Sequence, residues 1–403
     1  MSPNRKMPIK MRVTLCVSST PSGRGKYGSF DGSFSRFSTA QTFGLPIIRV
    51  QRIELLKLRL VCTSWKRLLE SKEFRDLRLK VGSAEAWLYV LACCSPFSAF
   101  DPFSNKWFSL PQIPRLYDDT IWQGFACVAV GPSLLLMGGI HQSTSAATPL
   151  YSTGVVCADL HIYNACTNQW SRGASMSTPR SWFAASVIGD CVYVAGGQGH
   201  DRFLDTVELY DLKKNSWSHV SSMNCVRSSC YGFTLNGKIW IIGGEVMRNQ
   251  HRVKPGRGSA EVYNFESGSW SLIPEMLLNS EKVPGPSTVY CGRLLCVHQS
   301  KLMMYSGDTN SWFHVGELSG SEMFSNQNSR YGFACESLND ELYIIGGTRM
   351  SRHYRHSVQL LNTNEACKLT PSCGGESKNT SWWNLASMGK CEGTIVASAV
   401  MTM

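Results

Sequence analysis

No stretch of this 403-residue sequence approaches the roughly 20 consecutive apolar residues that a membrane-spanning helix requires. Charged residues are scarce, at 17%. That excludes helical bundles and coiled coils, which are built on Ala, Glu and Lys. The 16 cysteines include no CxxC pair, so the paired ligands that close a tetrahedral zinc site are missing. The N-terminus lacks the apolar stretch of a secretory signal, so the cysteines read as reduced thiols acting as small apolar groups. The nine histidines are scattered, and only His353 and His356 lie close, in the basic run SRHYRH. A hydrolase or a copper oxidase needs its nucleophile and base, or its ligands, gathered at one place, and nothing in the sequence gathers them. Neither a metal nor a cofactor is expected.

Acidic residues are short at one end only. Residues 1–80 carry 17 Lys or Arg against 5 Asp or Glu, while 81–403 carry 23 against 24. The formal net charge of +11 therefore belongs to the N-terminal fifth, and the larger part offers no broad phosphate-binding face. Neither nucleic acid nor a membrane is expected as a partner. Residues 1–44, rich in Ser, Gly and Lys/Arg with one acid (Asp31), read as a disordered basic tail. A plastid or mitochondrial transit peptide has a similar composition and is the alternative.

Glycine (35), tryptophan (12) and aromatics in general (11%) are plentiful, and they recur in register. An aromatic precedes Trp by seven residues five times: FDPFSNKW (100–107), YNACTNQW (163–170), YDLKKNSW (210–217), YNFESGSW (263–270) and YSGDTNSW (305–312). Each reads as the end of one strand, a polar turn and the start of the next. Upstream of most copies an apolar run ends in Gly-Gly, at 138–139, 196–197, 243–244 and 346–347. A further short strand precedes each run, giving four strands per unit. Such a unit cannot bury both faces alone, so units stack radially. Trp supplies a rigid plate between sheets, and paired glycines allow positive φ or close backbone approach.

Six units are counted, at about 84–110, 122–172, 181–219, 229–272, 286–314 and from Arg330 to Trp382-Trp383, the last with an insertion around 364–380. The first unit lacks its first strand, and the chain ends in an unassigned apolar segment, GTIVASAVMTM (393–403). That segment is expected to complete blade one and close the ring. The pattern resembles kelch repeats over 81–403. The implied fold is all-β, a six-bladed kelch propeller closed by the C-terminal strand. In propellers of this kind one mouth is lined by residues entering each first strand. Here those are Arg115, Arg180, Arg227 and Arg330, with Ser181, Ser228 and Tyr331 beside them. Arginines there would bind carboxylate or phosphate on a protein target; alternatively each bonds local carbonyls or a neighbouring Glu. Glu208 and Glu261, in VELY and AEVY, read as buried partners within the repeat.

Residues 45–80 show helical spacing: Leu55, Leu58, Val61 and Cys62, then Trp65, Leu68 and Leu69 on a continuing apolar face. That face must be covered, either by the propeller or by a partner. The text LRLVCTSWKRLLESKEFRDL, through Leu60, Val61, Cys62, Trp65 and Leu69, resembles the second half of an F-box. Upstream, Leu45-Pro46 leads into IIRVQRIE, shorter and more basic than the acidic opening such modules have, so the segment reads as a truncated F-box-like one. The resemblance implies a Skp-type adaptor as partner, held by Leu55, Leu58, Leu60, Val61, Cys62, Trp65, Leu68 and Leu69, with a cullin scaffold behind it. The chain would be the non-catalytic substrate-recognition subunit of a ubiquitin ligase in cytoplasm and nucleus, its target acidic or phosphorylated. A kelch scaffold without a working F-box, organellar if the tail is a transit peptide, and a propeller enzyme are the alternatives.

Overall fold

A computed structural model describes residues 47–92, 96–114, 120–143, 154–248, 251–252, 258–277, 286–298, 300–318, 330–350, 358–360, 364–369, 380–388 and 394–403. The tail over 1–44, Arg115, and His353 and His356 fall outside these residues.

The alternating apolar segments form six four-stranded antiparallel sheets. Blade 1 consists of Ile395–Thr402, Ala86–Ala92, Ser98–Asp101 and Lys106–Ser109, and blade 2 of Ala126–Val130, Ser133–Met137, Leu160–Asn164 and Gln169–Arg172. Blade 3 runs through Ala184–Ile188, Cys191–Ala195, Val207–Asp211 and Ser216–Val220; blade 4 through Tyr231–Leu235, Lys238–Ile242, Ala260–Asn264 and Ser269–Ile273. Blade 5 holds Ser287–Tyr290, Arg293–His298, Lys301–Ser306 and Ser311–Glu317, and blade 6 Ala334–Leu338, Glu341–Ile345, Asn364–Leu369 and Thr380–Asn384. The first strands of neighbouring blades touch all the way round, making a closed ring. Residues 364–369, expected within an insertion, are instead the third strand of blade 6.

Closure happens as the orphan segment suggested. Ile395–Thr402 pairs with Ala86–Ala92 from Ala86↔Thr402 to Ala92↔Ile395, so the ends of the propeller are hydrogen-bonded to each other. Alternation along Ala86–Ala92 shows why both sheet faces must be apolar. Trp87 and Tyr89 pack toward blade 2, whereas Leu88 and Val90 pack toward blade 6. Six apolar clusters result, one between each pair of adjacent blades.

The repeated aromatic and Trp are register partners on the third and fourth strands, as in Tyr210↔Trp217 and Phe100↔Trp107. Their rings lie 4.9 Å apart in both pairs. The intervening turn needs a residue at positive φ, supplied by Asn105, Asn168, Asn215, Asn310 and Gly268. Three of these asparagines also accept a hydrogen bond from the blade tyrosine, as Asn215 Oδ1 does from Tyr210 at 2.7 Å. Each Trp indole then donates to a carbonyl at or just beyond the end of the preceding blade's outer strand. Trp107 reaches Ala386, Trp170 Pro111, Trp217 Ala174, Trp270 Ser221, Trp312 Met276 and Trp382 Glu317, at 2.6–3.0 Å. Trp382 thus completes a sixth copy, in which Cys367 replaces the aromatic partner.

Ahead of the ring the described residues include three complete short helices: α1 (Arg52–Leu58), α2 (Thr63–Glu70) and α3 (Lys72–Lys80). Ser71 Oγ caps α3 by accepting from the Phe74 amide at 3.2 Å. The helical segment shares one compact unit with the ring, from Ile48 to Met403.

The Trp217→Phe variant keeps a ring in place but removes the indole donor and leaves the Ala174 carbonyl unpaired. Its urea midpoint is expected to fall by an amount equivalent to about 1–2 kcal/mol; an unchanged midpoint would remove the indole bond from the inter-blade contacts.

Candidate interaction surfaces

Of the arginines expected to line the mouth, Arg180 and Arg227 are structural. Arg180 and Arg227 have no exposed surface. Arg180 Nη1 donates to the carbonyls of Gly196 (2.9 Å) and Thr206 (3.0 Å), and Nη2 to Glu208 Oε1 (2.6 Å). Arg227 repeats this on blade 4: Nη1 to Gly243 O (3.0 Å) and Ser259 O (3.1 Å), Nε to Glu261 Oε1 (2.8 Å). A guanidinium with no exposed surface, its Nη donors engaged within its own blade, cannot reach a ligand, so the expectation that Arg180 and Arg227 bind substrate is corrected. Ser181 and Ser228 are buried with them, and Ser181 Oγ donates to Gln198 O at 3.3 Å. Arg330 is half-buried, donates from Nε to Gly346 O at 2.6 Å and stacks on Phe333. The Tyr331 side chain lies outside the described residues.

One spacing unites these contacts. The first glycine of each pair receives a side-chain hydrogen bond from the residue sixteen positions earlier: Arg180 to Gly196, Arg227 to Gly243 and Arg330 to Gly346. In blade 2 the donor is Trp122, whose Nε1 lies 2.9 Å from Gly138 O. Arg115 is therefore off register by seven residues; counting back from Gly-Gly would have found Trp122. The carbonyls of Arg180 and Arg227 also link blades, since Gly139 N–H donates to Arg180 O (2.9 Å) and Gly197 N–H to Arg227 O (2.7 Å). Glycine is required at Gly196, which has φ of 68° and where an added Cβ would sit 2.6 Å from Arg227 O. Burial acts to raise the Glu208 pKa. The Ser177 and Thr178 amides and Arg180 more than offset that, holding it below the usual carboxylate value. His161 occupies the equivalent place in blade 2, opposite Leu136 as Glu208 is opposite Val194.

The helical segment presents a different surface. Arg52 is buried, with its guanidinium 4.5 Å from the Trp87 ring centre and hydrogen-bonded to the Tyr89 hydroxyl. Arg78, also buried, donates to Ile48 O (2.6 Å), Val50 O (2.7 Å) and Glu85 (3.4 Å). Arg59 bridges Glu70 and the Thr167 carbonyl of the blade-2 turn. Anchored in this way, the segment divides its apolar face in two. Leu69 and Phe74 are buried, so Leu69 is corrected from adaptor contact to packing residue. Leu55, Leu58 and Trp65 are half-buried. Leu60 (81% exposed), Val61 (62%), Cys62 and Leu68 face solvent.

Within the ring, Glu336 on the first strand of blade 6 accepts from Ser398 Oγ of blade 1 at 2.6 Å. Burial pushes its pKa up from the usual 4.5 to about 7, only partly opposed by the Ser398 bond. No sequence pattern had singled it out. Among the described residues no group of three His, Cys, Asp or Glu could hold a metal ion, and no helix is long and apolar enough to cross a membrane.

Comparison with known proteins agrees with this architecture. The model of the KLHDC2/KLHL20/DRC7 Kelch-repeats domain matches residues 92–307, more than half of the chain. The chain belongs to the kelch-repeat family. The F-box/kelch-repeat protein At1g16250 of Arabidopsis thaliana is 27% identical over 302 residues, covering 72% of this chain and 76% of that one. The F-box/kelch-repeat protein SKIP30 of the same plant is 25% identical over 350 residues, covering 86% of this chain and 90% of its own. That coverage exceeds the propeller and so takes in part of the segment before it. In fold, the chain is similar to the solved structure of YjhT, with a TM-score of 0.51, 14% identity, and coverage of 75% of this chain and 92% of that one.

A proton bound more tightly by the folded than the unfolded state stabilises at low pH and is lost as pH rises. For Glu336 the window runs from about 4.5 to about 7. Glu336→Gln is expected to raise the melting temperature at pH 8 by about 2 °C or more, and to leave it nearly unchanged at pH 5. Equal shifts at both pH values would show that the carboxyl charge is not the cause.

Proposed function

We propose that this protein is the non-catalytic substrate-recognition subunit of a Skp–cullin–F-box ubiquitin ligase. The helical segment would hold the Skp-type adaptor, with the cullin scaffold beyond it, and the propeller would hold the protein to be modified. The observation that carries the reading is Leu60 and Val61, large apolar side chains turned to solvent between two helices whose other face is pinned to blades 1 and 2. Leaving such groups in water is unfavourable unless a partner covers them. The printed names of the plant relatives, F-box/kelch-repeat proteins, support the same partner class. A receptor of this kind needs no reacting group: it raises the effective concentration of a target near the ligase. Its place is the cytoplasm and nucleus, and a fluorescent fusion found in plastids or mitochondria would contradict that.

The full chain is expected to retain a Skp-type adaptor in a purified pull-down. The double variant Leu60→Asp, Val61→Asp should lower adaptor affinity at least about tenfold, because two charges would enter an apolar contact, with an unchanged melting temperature. Leu69→Asp should instead lower the melting temperature. Undiminished adaptor binding by the double variant would remove this interface, and no binding by the native chain would leave a kelch scaffold without a working F-box.

A further inference from the structure

We propose that the groove between blades 1 and 6 docks an extended segment of a partner protein, one carrying a large apolar side chain and a single carboxylate. The groove encloses about 740 Å³ and is walled by the blade-1 turn at Asp101–Asn105, the blade-6 residues around Asn339 and Asn384, and the chain on either side of the helices at Arg49 and Gly82–Ala86. That volume falls within the range of ligand clefts, about 300–1,000 Å³.

What the groove can bind follows from which of its groups are already engaged. Its carboxylates are taken. Glu85 accepts from the Arg52 amide (2.8 Å), Arg78 (3.4 Å) and the Trp87 indole (3.3 Å). Asp101 accepts from the Phe103 amide (2.9 Å) and Ser104 (2.6 Å), and Glu341 from the Tyr343 hydroxyl (2.9 Å). The side chains of Arg49, Gln51, Asn339 and Asn384 line the same groove and make no hydrogen bond or ion pair among the described residues. Three amides, each both donor and acceptor, match the alternating N–H and C=O groups of an extended main chain. The open Arg49 guanidinium matches one carboxylate, which it can take with two parallel bonds. Phe103 (79% exposed) and Trp383 (38% exposed) add two aromatic surfaces to that cavity. Exposed aromatics scattered singly are ordinary; two on one polar groove make an anchor for an apolar side chain. The engaged carboxylates still carry charge, so a polyacidic or phosphorylated tract is disfavoured and a single acid is specified. This site does not depend on the adaptor reading.

The test uses the purified full chain without adaptor and a phage-displayed random dodecapeptide library, followed by fluorescence anisotropy of the recovered peptide. Recovered sequences are expected to share a large apolar residue and one Asp or Glu. Phe103→Ala, Trp383→Ala and Arg49→Glu should each weaken binding about tenfold or more, equivalent to about 1.4 kcal/mol. Replacing the peptide's acid by Lys should restore binding to Arg49→Glu, an effect that loss of structure cannot mimic. Phe265→Ala, an exposed aromatic on blade 4, should change nothing. Failure to enrich any peptide, equal binding by all the groove variants, or absence of the charge-swap rescue would overturn the proposal while leaving adaptor binding untouched.

Discussion

Four of the six blades share one hydrogen bond, from a side chain to the carbonyl of the glycine sixteen residues further on. A buried carbonyl without a donor is costly, by about 1–3 kcal/mol, and a strand that stops at Gly-Gly leaves one there. Arginine answers that need and has donors left over. In blades 3 and 4 other guanidinium donors engage a second carbonyl and a buried glutamate, and the glutamate in turn receives backbone amides. Since the Arg180 and Arg227 carbonyls accept from the second glycine of the preceding blade, each of these two residues fixes both the end of its blade and the seam beside it.

That arrangement decides where recognition can occur. Groups enclosed to satisfy the fold are not available to a ligand, however favourable their charge looks in the sequence. Among the described residues, the two surfaces proposed for recognition are the exposed Leu60–Val61 corner of the helical segment and the groove between blades 1 and 6. Both involve the helical segment, which Arg52 and Arg59 hold against the ring. Tethering works best when the linker does not dissipate effective concentration, and this attachment is a packed contact rather than a loose linker.

The ring was legible in the sequence because its signals are repeated. Seven residues from aromatic to Trp, Gly-Gly after an apolar run, and an unpaired C-terminal strand together set the number of blades and their closure. The buried roles of Glu208 and Glu261 were legible for the same reason. Burial of Arg180 and Arg227 was the outcome that spacing alone could not decide, because an arginine entering a strand can point either to the channel or into its own blade. Trp122 was missed because it fills an arginine's place with a different side chain, while Arg115 attracted attention by type rather than position. The inward turn of Leu69 depends on where α2 lands on the propeller, which periodicity does not encode. Glu336 lies on a first strand without any motif, and its environment comes from Ser398, distant in sequence.

The most direct test of the central claim, a propeller carrying a rigidly held adaptor-binding corner, is hydrogen–deuterium exchange of the full chain with and without saturating Skp-type adaptor. Protection is expected to appear in peptides covering 55–68 and to leave the Gly-Gly clasps at 138, 196, 243 and 346 unchanged. Protection confined to the propeller, or none anywhere at saturation, would contradict it.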